Sequence, residues 1–279
     1  MSGKPPGWSR RDVVNFVFAA AAVLILVWLE FFPPKYSADP LYDELWRVTV
    51  SRLAGALLFL PAAIVTGYRV YGVKRGITRL DLLTVAAAAV VVINNFPFIG
   101  VISGNAVLTR EGKTVALFAL YCLSIGLFEE IAFRGVLFLS ILEGRRGSKK
   151  EIFISTVAAS ALFGAVHLVN LIAGAAPGGV FLQVGYSFLI GGMCSIVLLR
   201  TGCVWICVIL HFVFDFAGYL IPKLGDGIIW DPVTVALTAA IGVAVLAFML
   251  YVMSRTGPED IDFIFRKKEG KTEDEDVES

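Results

Sequence analysis

Long apolar runs separated by short polar stretches dominate the chain. At about 1.5 Å rise per helical residue, eight of them are long enough to cross a hydrocarbon core of roughly 30 Å. They lie near Val13–Phe32, Thr49–Tyr71, Leu80–Gly100, Thr114–Leu142, Ile152–Gly174, Gly179–Arg200, Cys203–Pro222 and Val233–Met253. The pattern predicts an all-α fold, a polytopic transmembrane bundle of about eight helices with a polar intramembrane cavity. The first run is longer than the apolar region of a secretory signal and lacks a convincing cleavage site, so it is read as a mature helix. Residues 1–266 then form one membrane domain with no soluble domain attached.

Between the runs, Pro33–Val48 has the length for a short surface helix, and the tail from Lys267 to Ser279 is too polar to fold. Asn94-Asn95-Phe96-Pro97 interrupts the third span. Pro97 lacks a backbone donor and should kink or end that helix, with the asparagines packing against freed backbone groups or lining a polar cavity.

Composition agrees with a bilayer as solvent: 57% of residues are hydrophobic, 17% are charged, and the mean hydropathy is +0.79. A net charge of +1 without a basic cluster excludes a nucleic-acid footprint. Lysine and arginine alternate between loops. Seventeen fall on the side of Lys4, Arg10, Arg11, Arg69–Arg79, Arg145–Lys150, Arg200 and Arg255–Lys271, against six at Lys35, Arg47, Arg52, Arg110, Lys113 and Lys223. The positive-inside rule then puts both termini in the cytoplasm. The lack of a targeting peptide and the compact design fit a prokaryotic plasma membrane. Cys122, Cys194, Cys203 and Cys207 all fall within spans, so no disulfide framework is expected.

Ionisable side chains inside a bilayer are costly and face protein or water, which makes each a functional candidate. They are Glu129, Glu130 and Arg134 in the fourth span, His167 in the fifth, and His211 and Asp215 in the seventh. Glu30 and Arg52 lie nearer span ends, can snorkel, and are given no role. Both histidines of the chain are in this set. Counted from the basic ends of the spans, Glu129 lies roughly 20 Å deep, His167 roughly 22 Å, and His211 and Asp215 roughly 12 to 18 Å, one layer of the membrane. Glu130 and Arg134 stand at i and i+4 with the acid first, the favourable order, which leaves Glu129 to face another neighbour. His211 and Asp215 repeat that spacing, so the aspartate can fix the tautomer and orientation of the imidazole or sit beside it in one pocket.

A glutamate and a histidine converging in a partly dry cavity can deprotonate water, and a second histidine with an aspartate can donate to the oxyanion of a tetrahedral intermediate. Hydrolysis of an acyl bond is the reaction this suggests. A covalent route through Cys203 or Cys207, on roughly the stripe of His211, is the weaker option. The reading takes no cofactor. Zinc held by two imidazoles and a carboxylate is the alternative, assembled across helices because the chain has no His-Glu-x-x-His.

At these residues the sequence resembles the CAAX prenyl protease and bacteriocin-processing family, the type II CAAX endopeptidases. Phe128-Glu129-Glu130-Ile131-Ala132-Phe133-Arg134-Gly135 looks like its Glu-Glu-x-x-x-Arg motif, Phe163-Gly164-Ala165-Val166-His167 like Phe-x-x-x-His, and His211-Phe212-Val213-Phe214-Asp215 like His-x-x-x-Asn or Asp. The motif core runs from Ile125 to Tyr219. The resemblance implies a glutamic intramembrane protease in which Glu129 and His167 activate water, His211 and Asp215 form the oxyanion site, and Glu130 and Arg134 shape the pocket. Its partners would be the lipid bilayer and a peptide or protein substrate, lipidated or not. The best-studied members carry asparagine at the position of Asp215, and an ionised aspartate would repel an oxyanion. The alternative of another class is a non-catalytic membrane protein, a bacteriocin-immunity or partner-binding factor, or a small transporter using the same polar layer.

Overall fold

The computed structural model describes residues 34–265. The expected first span Val13–Phe32, Glu30, the basic residues before Lys35 and after Arg255, and the tail from Lys267 lie outside the described residues. Among the described residues six helices are long and apolar enough to cross a membrane, and the protein is an all-α bundle integral to a membrane. They are α1 (Pro40–Thr66), the composite helix Gly112–Glu143, the composite Lys149–Ile172, α8 (Pro177–Thr201), α9 (Val204–Leu224) and α10 (Pro232–Ser254).

Every apolar run within the described residues is helical, and local punctuation sets the ends. Asp39, with Pro40 after it, accepts hydrogen bonds from the backbone of Leu41 and Tyr42 and opens α1, while Gly67 at φ 72° closes it in the left-handed conformation that glycine adopts without strain. Helix α1 therefore begins nine residues before the expected Thr49, and the anticipated surface helix is its first turns. Asp231 and Pro232 open α10 in the same way. The Thr234 hydroxyl and the backbone N–H groups of Thr234 and Val233 hold the Asp231 carboxyl below its usual value. That cap is formed while the carboxylate is ionised and is lost as pH falls through its lowered value.

The expected span Leu80–Gly100 is shorter than predicted. Helix α2 covers Arg79–Asn94, 16 residues or about 24 Å, and a separate short helix, α3 (Phe98–Ile102), follows. Pro97 cannot supply the N–H the helix needs and disfavours helical geometry at Phe96. Asn94 Nδ2 donates to Thr238 Oγ1 (3.0 Å) and Asn95 Nδ2 to the Phe214 carbonyl (2.8 Å), so the asparagines tie the helix end to α10 and α9. Two three-residue strands not foreseen from the pattern, β1 (Ala106–Leu108) and β2 (Gly225–Gly227), pair antiparallel at this end.

The basic loops gather at the opposite end. Lys74 and Arg200 both bond the buried Asp81 (3.0 and 2.7 Å), and Arg200 also reaches Asp260 of α11 (Pro258–Phe265) at 3.4 Å. Arg200 is thus a buried tie between α2, α8 and α11 rather than a loop charge. Arg146 lies over the Phe265 ring and the Arg69 N–H donates to the Ile264 carbonyl, which brings the basic loops together.

Within the bundle, α4 (Gly112–Glu130) packs between α1 and α9, and α6 (Lys149–Ala165) packs on α8. Among the described residues, 11% of the apolar window of α10 is buried, against 56% for α8. Gly126 lets α4 and α9 approach closely: a Cβ there would stand 3.1 Å from the Val208 carbonyl and 3.2 Å from the Phe212 nitrogen. Replacing Gly126 with valine should force the two helices apart at a cost of about 1–3 kcal/mol. Unfolding in detergent is the measurement, and an unshifted transition would remove the close approach from the account.

Candidate active site

Helix α4 ends on Glu129 and Glu130, neighbours about 100° apart around the axis that face different parts of the bundle. The chain then continues as a π-helix over Ile131–Phe138 before a last α turn, α5 (Leu139–Glu143). Such wide turns are uncommon and recur at functional sites. The sequence pattern had suggested a regular helix over Thr114–Leu142. On the second element, α6 stops at Ala165 and a 3₁₀ turn, Val166–Leu168, carries His167 into a short helix α7 (Val169–Ile172).

Glu130 is the most enclosed of the six motif residues, with no exposed surface. Its Oε1 accepts from His211 Nδ1 at 2.7 Å and faces Arg134 Nη1 at 3.1 Å, so one oxygen joins α4, the π segment and α9. The expected i, i+4 pair with Arg134 is present, and the histidine joins it. The Arg134 guanidinium lies 4.1 Å from the Phe163 ring centroid, where the face of the ring attracts the cation. Gly191 of α8 leaves the room: a Cβ would stand 3.0 Å from both Arg134 Nη2 and Phe163 Cδ1.

The other nitrogen of His211 looks toward the remaining acids. Its Nε2 lies 3.5 Å from Asp215 Oδ2 and 3.8 Å from Glu129 Oε2. The two imidazoles are kept apart by Phe163, whose ring meets His167 edge-on at 5.6 Å and His211 at 6.0 Å. His167 is half-buried and within electrostatic reach of Glu129, His211 and Asp215. Glu129 is the more open of the two glutamates, its side chain 14% exposed against none for Glu130.

The six residues singled out from the sequence therefore meet in one region of the bundle, and both i, i+4 pairs are present. Glu130 holds the Nδ1 side of His211, and Asp215 shares the Nε2 side with Glu129. Three further residues escaped the sequence reading. Arg52, set aside there as a snorkelling residue, is half-buried 5.6 Å from the Phe128 ring centroid, close enough for its charge to act on His167. Tyr186 and Tyr219 share a hydrogen bond between hydroxyls at 2.5 Å, near Asp215 and Glu129. The spacing of four from His211 to Asp215 to Tyr219 places Tyr219 on the same face of α9 and was the available signal. Of the cysteines considered as nucleophiles, Cys203 sits at the start of α9 and Cys207 is buried.

For metals, the group of three ligating side chains whose donor atoms lie within 4.8 Å of one another, among the described residues, is Glu130, Cys194 and Cys207. It includes neither histidine.

Since Arg134 stands 3.1 Å from a wholly buried carboxylate and is itself buried, Arg134→Met should remove half of the charge compensation of Glu130 and cost about 3–5 kcal/mol. Chemical unfolding in detergent checks this, and an unchanged midpoint would mean that the pair contributes nothing to stability.

No curated protein and no solved structure matches the chain. Residues 111–217, which contain all six motif residues, match the family model described as Type II CAAX prenyl endopeptidase Rce1-like, and this is the protease family that the three motifs resemble.

Proposed function

We propose that the protein is an intramembrane endopeptidase that hydrolyses a peptide bond near the membrane by means of an activated water. The family match implies a protease. The observation that carries the finer reading is the convergence of Glu129, His211 and Asp215 within 3.8 Å contacts, with His167 in electrostatic reach, in the interior of a transmembrane bundle.

The roles follow from access and from the hydrogen bonds already in place. Glu129 and His167 are the more accessible pair, so a water between them loses a proton to one of the two as its oxygen attacks the scissile carbonyl. The negative charge that develops on the carbonyl oxygen is met by His211. With both ring nitrogens protonated, Nδ1–H is held by Glu130 and Nε2–H is free to donate to the oxyanion. Collapse of the tetrahedral intermediate breaks the C–N bond, and the proton held at Glu129 or His167 passes to the leaving amine. A carboxylic acid and an amine result, with no net gain or loss of protons at the site.

Asp215 stands beside Nε2, where its negative charge favours the imidazolium but would oppose an oxyanion in direct contact. It therefore acts through His211. Glu130 and Arg134 position the imidazole and fill the floor of the site. The excess of lysine and arginine at the end that holds Asp81 and Arg200 supports a cytoplasmic location for that end. A peptide with an apolar or lipid-bearing end, presented from the bilayer, is the substrate class that reaches a centre at this depth. No metal is required by these steps.

Two substitutions test the assignment. Glu129→Gln in reconstituted protein should lower cleavage of a CAAX-type or membrane-derived peptide by about 10²–10⁴-fold while leaving thermal unfolding unchanged. Cleavage at the wild-type rate by that variant would defeat the reading. Asp215→Asn should retain cleavage, because an amide adds a donor where the carboxylate repels. A loss as deep as that of Glu129→Gln would instead make Asp215 a proton carrier.

A further inference from the structure

Beside Glu130 lie two thiols that the proposed reaction does not use. Cys194 comes from the middle of α8, and Cys207 from α9, one turn before His211. All three residues are without exposed surface. Their donor atoms lie within 4.8 Å of one another. The Cys207 thiol donates to the Cys194 carbonyl at 3.2 Å. Glu130 spends only Oε1 on His211 and Arg134, while Oε2 is buried with no hydrogen-bond partner. An acceptor left bare in such a place is a standing cost that a ligand would relieve.

We propose that Glu130 Oε2, Cys194 Sγ and Cys207 Sγ form a binding site for one thiophilic dication of the zinc and cadmium class. Two sulfurs and one oxygen suit such ions and do not suit calcium or magnesium, which take oxygen ligands. Bonds of about 2.0–2.3 Å at tetrahedral angles hold donor atoms roughly 3.3–3.8 Å apart, so a pair at the 4.8 Å bound needs a contraction of about 1–1.5 Å. Rotation of the Cys207 side chain away from the Cys194 carbonyl moves its sulfur without moving a helix. Binding releases both thiol protons, forms two metal–sulfur bonds and one metal–oxygen bond, and changes no oxidation state. The two thiolates and the carboxylate exceed the ion by one negative charge, and the Arg134 guanidinium stands next to Glu130 to balance it.

Occupation of this site engages the same carboxylate that holds His211 Nδ1. A bound ion would therefore loosen the imidazole and slow the hydrolysis, a consequence that rests on the peptidase reading, whereas the binding itself does not.

The test uses the full chain in detergent, reduced with a phosphine and freed of metal, titrated with Cd²⁺. Thiolate-to-cadmium ultraviolet absorption and the metal retained after desalting are both recorded. One Cd²⁺ per chain is expected, with two protons released. The absorption should vanish in Cys194→Ser and in Cys207→Ser, weaken in Glu130→Gln, and persist in Cys122→Ser, with thermal melts confirming that each variant is folded. Absence of saturable one-to-one uptake, or absorption surviving in the Cys194→Ser/Cys207→Ser double variant, would overturn the site. Uptake unchanged by Glu130→Gln would remove the carboxylate from it. Cleavage should fall in step with occupancy in the wild type and not in Cys207→Ser. If the metal-free protein cleaves nothing while Cd²⁺ still binds, the peptidase reading fails and the metal site stands.

Discussion

The arrangement of the bundle depends on one cost, that of holding the Glu130 carboxylate where no water reaches it. An ionised carboxylate taken from water into an apolar interior is prohibitively unfavourable unless opposite charge and hydrogen bonds replace its hydration. Arg134 and His211 supply both, and they arrive from different segments, the π-helix and α9. Helices α4 and α9 must therefore run close together, which Gly126 permits, and Arg134 must lie flat between Phe163 and α8, which Gly191 permits. The small residues and the charges are two halves of one solution: the glycines remove bulk where the ion pair needs helices to touch.

The same logic recurs at the basic end with a different purpose. Asp81 is as buried as Glu130 and is likewise answered by two cations, Lys74 and Arg200. That cluster receives backbone hydrogen bonds through its Thr78 capping box and lies at a helix start, so it anchors α2 to α8. The central cluster has fewer bonds than its polar atoms can make: Glu130 Oε2 and both terminal nitrogens of Arg134 lack hydrogen-bond partners. The unsatisfied groups set the central cluster apart from the Asp81 tie, none of whose side-chain atoms is left buried without a partner.

Much of this was legible before any coordinate. Apolar run length alone locates every helix long enough to cross the membrane within the described residues, because a bilayer tolerates few alternatives. The intramembrane charges were equally visible, since nothing but function or pairing keeps Glu129, Glu130, Arg134, His167, His211 and Asp215 there. What the sequence concealed depends on geometry that periodicity assumes rather than reads. The i, i+4 spacing gives the contact of His211 with Asp215, but not the bond from its Nδ1 to Glu130, which is a contact between helices. Arg52 looked peripheral because span ends were counted from the first apolar residue, whereas α1 starts at Pro40 and carries Arg52 more than three turns inside the helix. The tyrosine pair was hidden because Tyr186 and Tyr219 stand on different helices, and only the packing of α8 on α9 brings their hydroxyls together.

The π segment from Ile131 to Phe138 changes what evolution can do with this stretch. A wide turn accommodates a surplus residue by bulging instead of by lengthening the helix. Removing one residue there would let the helix relax to ordinary α geometry while the residues beyond the bulge keep nearly their present register with Glu129 and Glu130. The change would fall on the stretch itself, where Arg134 would turn from its present neighbours. In a helix without such a bulge, a surplus residue would instead rotate everything beyond it by about 100°.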